Sequence, residues 1–362
     1  MNKYFLLVLL FSNTIYADDI KCENIINKYQ FNNSKEDSFK LGLEYRSKYF
    51  SAEKQLEAYC LIVNSQKLGN IDAEAVLAQF YESGDIVKKD LKKAVEMTEN
   101  AVKKGSSLAL SNLGSYYLHG YAVPKDFEKS VFYYQKAIKK GYSFAKIGLG
   151  SMYFWGVGVP QDIEKAIALT REAALDTNQF GYDLAMVNLG LYYGFIGNQT
   201  EEINWYKKAA ELYQPQALEN LSYVYATEPK VANLDKSLFW INKAIERDNP
   251  QAYMKLGNYY ADGTIVYPKD EKKAFELYQK AAELNSPQAQ HNLGNWYLTG
   301  RYIQKNEKEA IKWYEKAADA ENIYSINMLY QIYTEGAESI PKNEEKAQYW
   351  FNKAKEQGIT LK

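Results

Sequence analysis

The chain has 362 residues with 44 basic and 45 acidic side chains, a formal charge of −1, so no overall field gathers nucleic acid or an anionic membrane. Hydrophobic residues make up 46% and charged residues 25%, the balance of a folded rather than a disordered chain, and two His with two Cys are too few for the usual four-ligand zinc cage. The 33 Tyr, 15 Phe and 6 Trp, 15% aromatic in all, require an architecture that uses tyrosine repeatedly.

The first element in chain order has the three parts of a secretory signal. Lys3 is a positive n-region, Tyr4 to Phe11 an apolar run, and Ala17 a small residue before Asp18 and Asp19, so residues 1–17 are predicted to be a cleaved signal peptide. The apolar run is far shorter than the ~20 residues a membrane span needs, and no later segment stops transfer. A soluble periplasmic or secreted protein is expected, with no membrane insertion. In an oxidising compartment Cys22 and Cys60 are predicted to pair as a disulfide.

Beyond the leader the sequence repeats. Ala, Leu-Gly and Tyr recur at i, i+4 and i+8: Ala109-Leu113-Gly114-Tyr117, Ala145-Leu149-Gly150-Tyr153, Ala185-Leu189-Gly190-Tyr193, Ala252-Leu256-Gly257-Tyr260 and Ala289-Leu293-Gly294-Tyr297. Degenerate copies begin at Ala73, Ala217 and Ser325, and a fainter one includes Leu41-Gly42-Tyr45. A second row, Ala101, Ala137, Ala173, Ala209, Ala244, Ala281, Ala317 and Ala354, is spaced by 35 to 37 residues. Two landmarks keeping one period predict a solenoid.

Each unit reads as two helices. The first puts Ala, Leu and Tyr on one face, which makes Tyr117, Tyr153, Tyr193, Tyr260 and Tyr297 expected core. A glycine seven residues after the Leu, as at Gly84, Gly120, Gly156, Gly263, Gly300 and Gly336, suits a C-cap of positive φ. Connectors such as Pro124-Lys125-Asp126 then start a second helix of the form K-A-x-x-x-Y-x-K-A.

This unit, A-x-x-x-L-G-x-x-Y-x-x-G followed by D-x-x-K-A-x-x-x-Y-x-K-A-A, resembles the Sel-1-like repeat, a relative of the tetratricopeptide repeat, over residues 37 to 358. It departs at Asn198-Gln199-Thr200, where the usual Asp is missing, and at Thr227-Glu228-Pro229, which replaces the glycine cap. The resemblance implies an all-α, right-handed superhelical solenoid of about nine helix-turn-helix repeats over 37–362, the first degenerate, behind an N-terminal capping helix at 18–36.

No chemistry-bearing constellation emerges. His119 and His291 sit on different repeats without an acidic partner at ligand spacing. S-x-x-K occurs at Ser51–Lys54 and Ser143–Lys146 without S-D-N or K-T-G. Neither a nucleophile elbow nor a phosphate loop is present, so no enzyme activity and no cofactor or metal are expected. The resemblance to tetratricopeptide units places groove positions two, five and six residues after the repeat Leu. Phe154, Trp155, Leu191, Phe195 and Tyr223 become candidate partner-binding residues, while later units are polar there (Asn258, Asp262, Asn295, Thr299).

The reading is an exported, non-catalytic, monomeric protein-binding scaffold. Secreted arrays of this family include periplasmic immunity proteins that block lipase effectors, so a toxin is one implied partner. Two alternatives stand beside it. One is a cell-wall, penicillin-binding or β-lactamase-like protein using Ser51 or Ser143. The other is a eukaryotic luminal adaptor, suggested by sequons at Asn32, Asn198 and Asn220.

Overall fold

The computed structural model describes residues 22–29, 34–48, 51–84, 86–177 and 181–356; the predicted signal at 1–17 and the sequon at Asn32 lie outside them. The described residues form nineteen α-helices and no strand, apart from an isolated bridge between Ala337 and Ile340. They divide into two compact units, one up to Ala217 and one from Leu218.

In the first unit a six-residue helix, α1 (Glu23–Lys28), precedes four hairpins. These are α2 (Lys35–Lys48) with α3 (Ala52–Lys67), α4 (Ala73–Ser83) with α5 (Leu91–Lys103), α6 (Ser107–His119) with α7 (Phe127–Lys139), and α8 (Ala145–Trp155) with α9 (Ile163–Leu175). A fifth joins α10 (Tyr182–Phe195) to α11 (Gln199–Glu211), and the unit boundary falls in α12 (Pro215–Thr227). The second unit continues with α13 (Leu234–Ile245), α14 (Pro250–Asp262), α15 (Glu271–Glu283), α16 (Pro287–Thr299), α17 (Glu307–Asp319), α18 (Ile323–Glu335) and α19 (Glu344–Glu356).

One local device closes the hairpins in both units. The residue before the second helix donates its backbone N–H to the carbonyl of the repeat Tyr: Asp126 to Tyr117 at 2.9 Å, Asp162 to Tyr153 at 2.9 Å, Asp270 to Tyr260 at 2.8 Å. The same residue caps that helix, its side chain accepting from the N3 backbone N–H of Lys129, Lys165 and Lys273 at 2.9, 2.9 and 3.0 Å. A short acceptor at this position satisfies a donor that no helical carbonyl can reach. Asn198, at the connector lacking Asp, does the same for Glu201 at 3.2 Å.

The N3 lysine then folds its ammonium over the repeat Tyr, Lys165 over Tyr153 at 4.1 Å and Lys273 over Tyr260 at 5.0 Å. The repeat tyrosines are therefore not uniformly core, a correction to the sequence reading. Tyr193 is buried, but Tyr117, Tyr153, Tyr260 and Tyr297 are half-buried. Of the residues just before them, Tyr116, Met152, Tyr192, Tyr259 and Trp296 are all buried. With 3.6 residues per turn, the position three after the Leu lies about 60° from it and the position four about 40° on the other side. The neighbouring hairpin covers one flank, and over Tyr117, Tyr153 and Tyr260 a lysine covers the other.

Glycine after the repeat Leu admits the second helix. A Cβ at Gly294 would stand 2.4 Å from the Tyr314 ring, and one at Gly257 2.8 Å from that of Tyr278. Gly263 and Gly336 combine φ of 77° and 80° with ψ of 158° and 167°, a region essentially reserved for glycine. The row of small residues that ends each second helix, Ala101 to Ala354, is buried throughout.

Cys22 and Cys60 are joined, with Cα atoms 5.3 Å apart. Glu57, one turn before Cys60, is buried and accepts from Lys28 Nζ at 2.7 Å, Tyr29 Oη at 2.6 Å and Lys54 Nζ at 2.6 Å. Burial alone would raise its pKa; these donors reverse that and hold it below the ordinary carboxylate value.

Candidate functional site

In the first unit, α8 and α10 present a two-layer aromatic cluster. Its floor is Phe154 on Tyr192, nearly parallel with ring centres 4.0 Å apart. Both are buried, and the Tyr192 hydroxyl lies 2.9 Å from Ser151 Oγ, so the phenol keeps a polar partner inside an apolar wall. Above this floor stand Trp155 and Phe195, edge to face at 5.5 Å, each also in contact with Phe154 at 4.8 and 5.1 Å. They are 52% and 59% exposed, and Leu191, 42% exposed, shares α10 with Phe195.

The structure thus separates the residues that the sequence grouped. Phe154 is 0% exposed and cannot meet a partner, which corrects its assignment to the groove. The reason is angular. Positions two and six after the Leu lie about 40° apart on the helix, whereas position five lies about 60° and 100° from them, toward the neighbouring hairpin. Ala226 and Ala261, at the same position five, are buried too. Tyr192, which the sequence reading left out, forms the floor because position three faces the core side. Tyr223, 50% exposed, belongs to the second unit. Asn258, Asp262 and Thr299 are exposed and Asn295 is half-buried.

The two histidines and the two S-x-x-K pairs each have local partners. His291 is buried, its Nδ1 2.9 Å from Ser325 Oγ and its Nε2 3.1 Å from the Asn295 amide; burial lowers its pKa. His119 is exposed, stacked on Tyr121 at 5.2 Å, its pKa lowered by partial burial and then by Lys125. Ser51 caps α3, accepting from Lys54 N at 3.4 Å, while Lys54 turns to Glu57. Ser143 donates to Asp176 at 2.6 Å and Lys146 pairs with Glu172 at 2.9 Å. In neither S-x-x-K does the lysine ammonium serve the serine.

Among the described residues no helix is long and apolar enough to cross a membrane. The upper layer of the aromatic cluster, Trp155, Phe195 and Leu191, exposes apolar area on a buried floor. Such an arrangement suits binding.

Comparison with known proteins places the chain. Eight stretches match the Sel1 repeat model: residues 71–106, 107–142, 143–178, 183–214, 215–249, 250–286, 287–322 and 331–359. No curated protein matches the sequence. Among solved structures, a Sel1 repeat protein from Oxalobacter formigenes is 27% identical over 90% of this chain and 93% of that one, with a TM-score of 0.45. The protective antigen c5321 of uropathogenic Escherichia coli, described as displaying an SLR fold, is 28% identical with a TM-score of 0.42; the match covers 83% of this chain and 64% of that protein's length. Yeast Tom70, 17% identical over 91% of this chain and 66% of its own, has a TM-score of 0.56 and shares the fold. With matched repeats from residue 71 to residue 359 and their described residues lying on the observed helical hairpins, the chain belongs to the Sel1 repeat family.

Proposed function

We propose that this chain is an exported, non-catalytic scaffold that docks a protein partner on the surface of α8 and α10. The observation that carries the reading is the exposed Trp155–Phe195 pair on its buried floor. Two large apolar rings are held rigid at a surface, with Leu191 alongside, and their ordering cost is already met by folding. That is the composition and geometry of an interface hot spot. Tyr223 is an exposed aromatic of the second unit, outside this surface.

Export is supported by the amino-terminal pattern at Lys3 and Tyr4 to Phe11 and by the Cys22–Cys60 disulfide, which suits an oxidising compartment such as the periplasm. Within this reading the monomeric protein acts as an immunity protein that neutralises a secreted lipase effector, the version implied by the repeat's resemblance to secreted family members.

The test is capture from an envelope extract with wild-type protein and with Trp155→Ala, Phe195→Ala and Lys280→Ala. A specific partner should be retained by wild type and by Lys280→Ala and lost by at least about tenfold with either aromatic variant. Retention by both folded aromatic variants would move the docking site elsewhere, and a neighbouring gene without a toxin would remove the immunity version alone.

A further inference from the structure

Trp155 and Phe195 are the last residues of α8 and α10, and both helix ends lack a lysine that other repeats place there. In those repeats a connector residue folds back against the glycine that closes the first helix. A Cβ on Gly120 would stand 3.5 Å from Lys125 Cβ, and one on Gly300 3.2 Å from Lys305 Cβ. Lysine holds this place after α4, α6, α14, α16 and α18, as Lys89, Lys125, Lys269, Lys305 and Lys342. After α8 the residue is Gln161, whose Nε2 donates to the Phe154 carbonyl at 2.9 Å. After α10 the connector shrinks to Ile196-Gly197-Asn198 and has no such residue.

Carboxylates replace lysine beside Phe195. The N3 residue of α11 is Glu201, where α5, α7, α9, α13, α15 and α19 have lysine. Its neighbour Glu202 lies against the end of α10: a Cβ on Gly194, the residue before Phe195, would meet Glu202 Oε1 at 2.7 Å. The same position is Phe154, Ala226 or Ala261 in other units, so glycine makes room here for a carboxylate. Residues 145–211 carry five basic and eight acidic side chains in a chain whose total charge is −1. The three basic groups of α8 and α9 are engaged: Lys165 donates to Tyr153 Oη at 2.8 Å, Arg171 donates to Tyr193 Oη, and Lys146 pairs with Glu172 at 2.9 Å. The carboxyl ends of two helices add partial negative charge at the same place.

Four tryptophans are covered by cations of their own chain: Trp205 by Lys208 at 4.1 Å, Trp296 by Arg301 at 4.8 Å, Trp313 by Lys316 at 4.2 Å and Trp350 by Lys353 at 4.9 Å. Among the described residues no such cation lies over Trp155 or Phe195, whose rings are 52% and 59% exposed. We infer that the partner supplies it: the surface of α8 and α10 receives an arginine side chain of the partner protein, its guanidinium on the Trp155 and Phe195 rings and its charge balanced by the acidic end of α10. Arginine suits this place better than lysine because its planar, weakly hydrated guanidinium stacks on aromatic faces. The inference rests on the docking reading above and adds the chemistry of the partner's contact.

The experiment follows the Trp155 indole N–H resonance of the full disulfide-bonded protein by NMR. The probes are the blocked dipeptide acetyl-Leu-Arg-amide and its counterpart acetyl-Leu-citrulline-amide, which keeps the shape and loses the charge. Saturable shifts are expected with the arginine probe, at an affinity at least about fivefold above that of the citrulline probe. Gln161→Lys, which restores the residue that five other connectors carry, should weaken the arginine probe at least about threefold and leave the citrulline probe unchanged. Equal affinity for the two probes, a comparison made on unaltered protein, overturns the arginine assignment and leaves the docking surface standing. So does a Gln161→Lys variant that binds both probes as wild type does or weakens both alike. If neither probe saturates up to its solubility limit the arginine assignment falls, whereas the docking reading is judged separately by loss of the captured partner in Trp155→Ala, which uses neither probe.

Discussion

Phe154 and Phe195 are the same residue type, touch one another with ring centres 5.1 Å apart, and are assigned opposite roles: packing for one, docking for the other. Truncation in the absence of any partner distinguishes them. A phenylalanine buries up to about 200 Å² at roughly 25 cal/mol per Å². Phe154 is wholly buried, so Phe154→Ala should lose most of that and leave a cavity under Trp155, about 3–5 kcal/mol. Phe195 is 59% exposed, so only about 80 Å² is at stake, an upper bound near 2 kcal/mol. Urea denaturation followed by far-UV circular dichroism should show Phe154→Ala less stable than Phe195→Ala by roughly 2 kcal/mol. Near-equal losses would mean that Phe195 is a packing residue, and the docking reading would lose its central observation.

Gly294→Ala forces a methyl group into the Tyr314 ring and should cost about 1–3 kcal/mol by thermal unfolding, whereas Gly105→Ala, with nothing within 4 Å of its Cβ position, should suffer only the strain of its positive φ. His291 is held neutral by burial, its pKa below the ordinary 6.5. The unfolded chain therefore takes up the proton first, and stability from this site is full above pH 6.5 and is lost as pH falls toward the depressed folded value; replacing His291 with Gln should flatten that part of a stability–pH profile. Unreduced, denatured protein should show no thiol reactive to a maleimide. Reduction, opening a loop with sequence separation 38, should lower stability by about 4 kcal/mol on the chain-entropy account, read as an earlier unfolding transition of the amino-terminal hairpins.

The repeat architecture was legible in the sequence because every unit must solve the same local problem. The Asp or Asn cap, the glycine at the end of the first helix and the Leu-Gly pair are short-range requirements, met within one hairpin, and they recur at a period that chance does not keep. For the same reason the cap of α11 by Asn198 is readable in hindsight, since Asn accepts from an N3 backbone N–H as Asp does.

Only the tertiary structure decided which aromatics are surface. Phe154 and Trp155 are adjacent in the chain, yet about 100° of helical rotation puts one beneath α10 and leaves the other exposed. Which flank of α8 is covered depends on where α10 packs, and no spacing within α8 carries that. A periodic sequence dictates the hairpin, because caps and turns are local; it does not dictate the surface, because exposure is settled by neighbours more than thirty residues away.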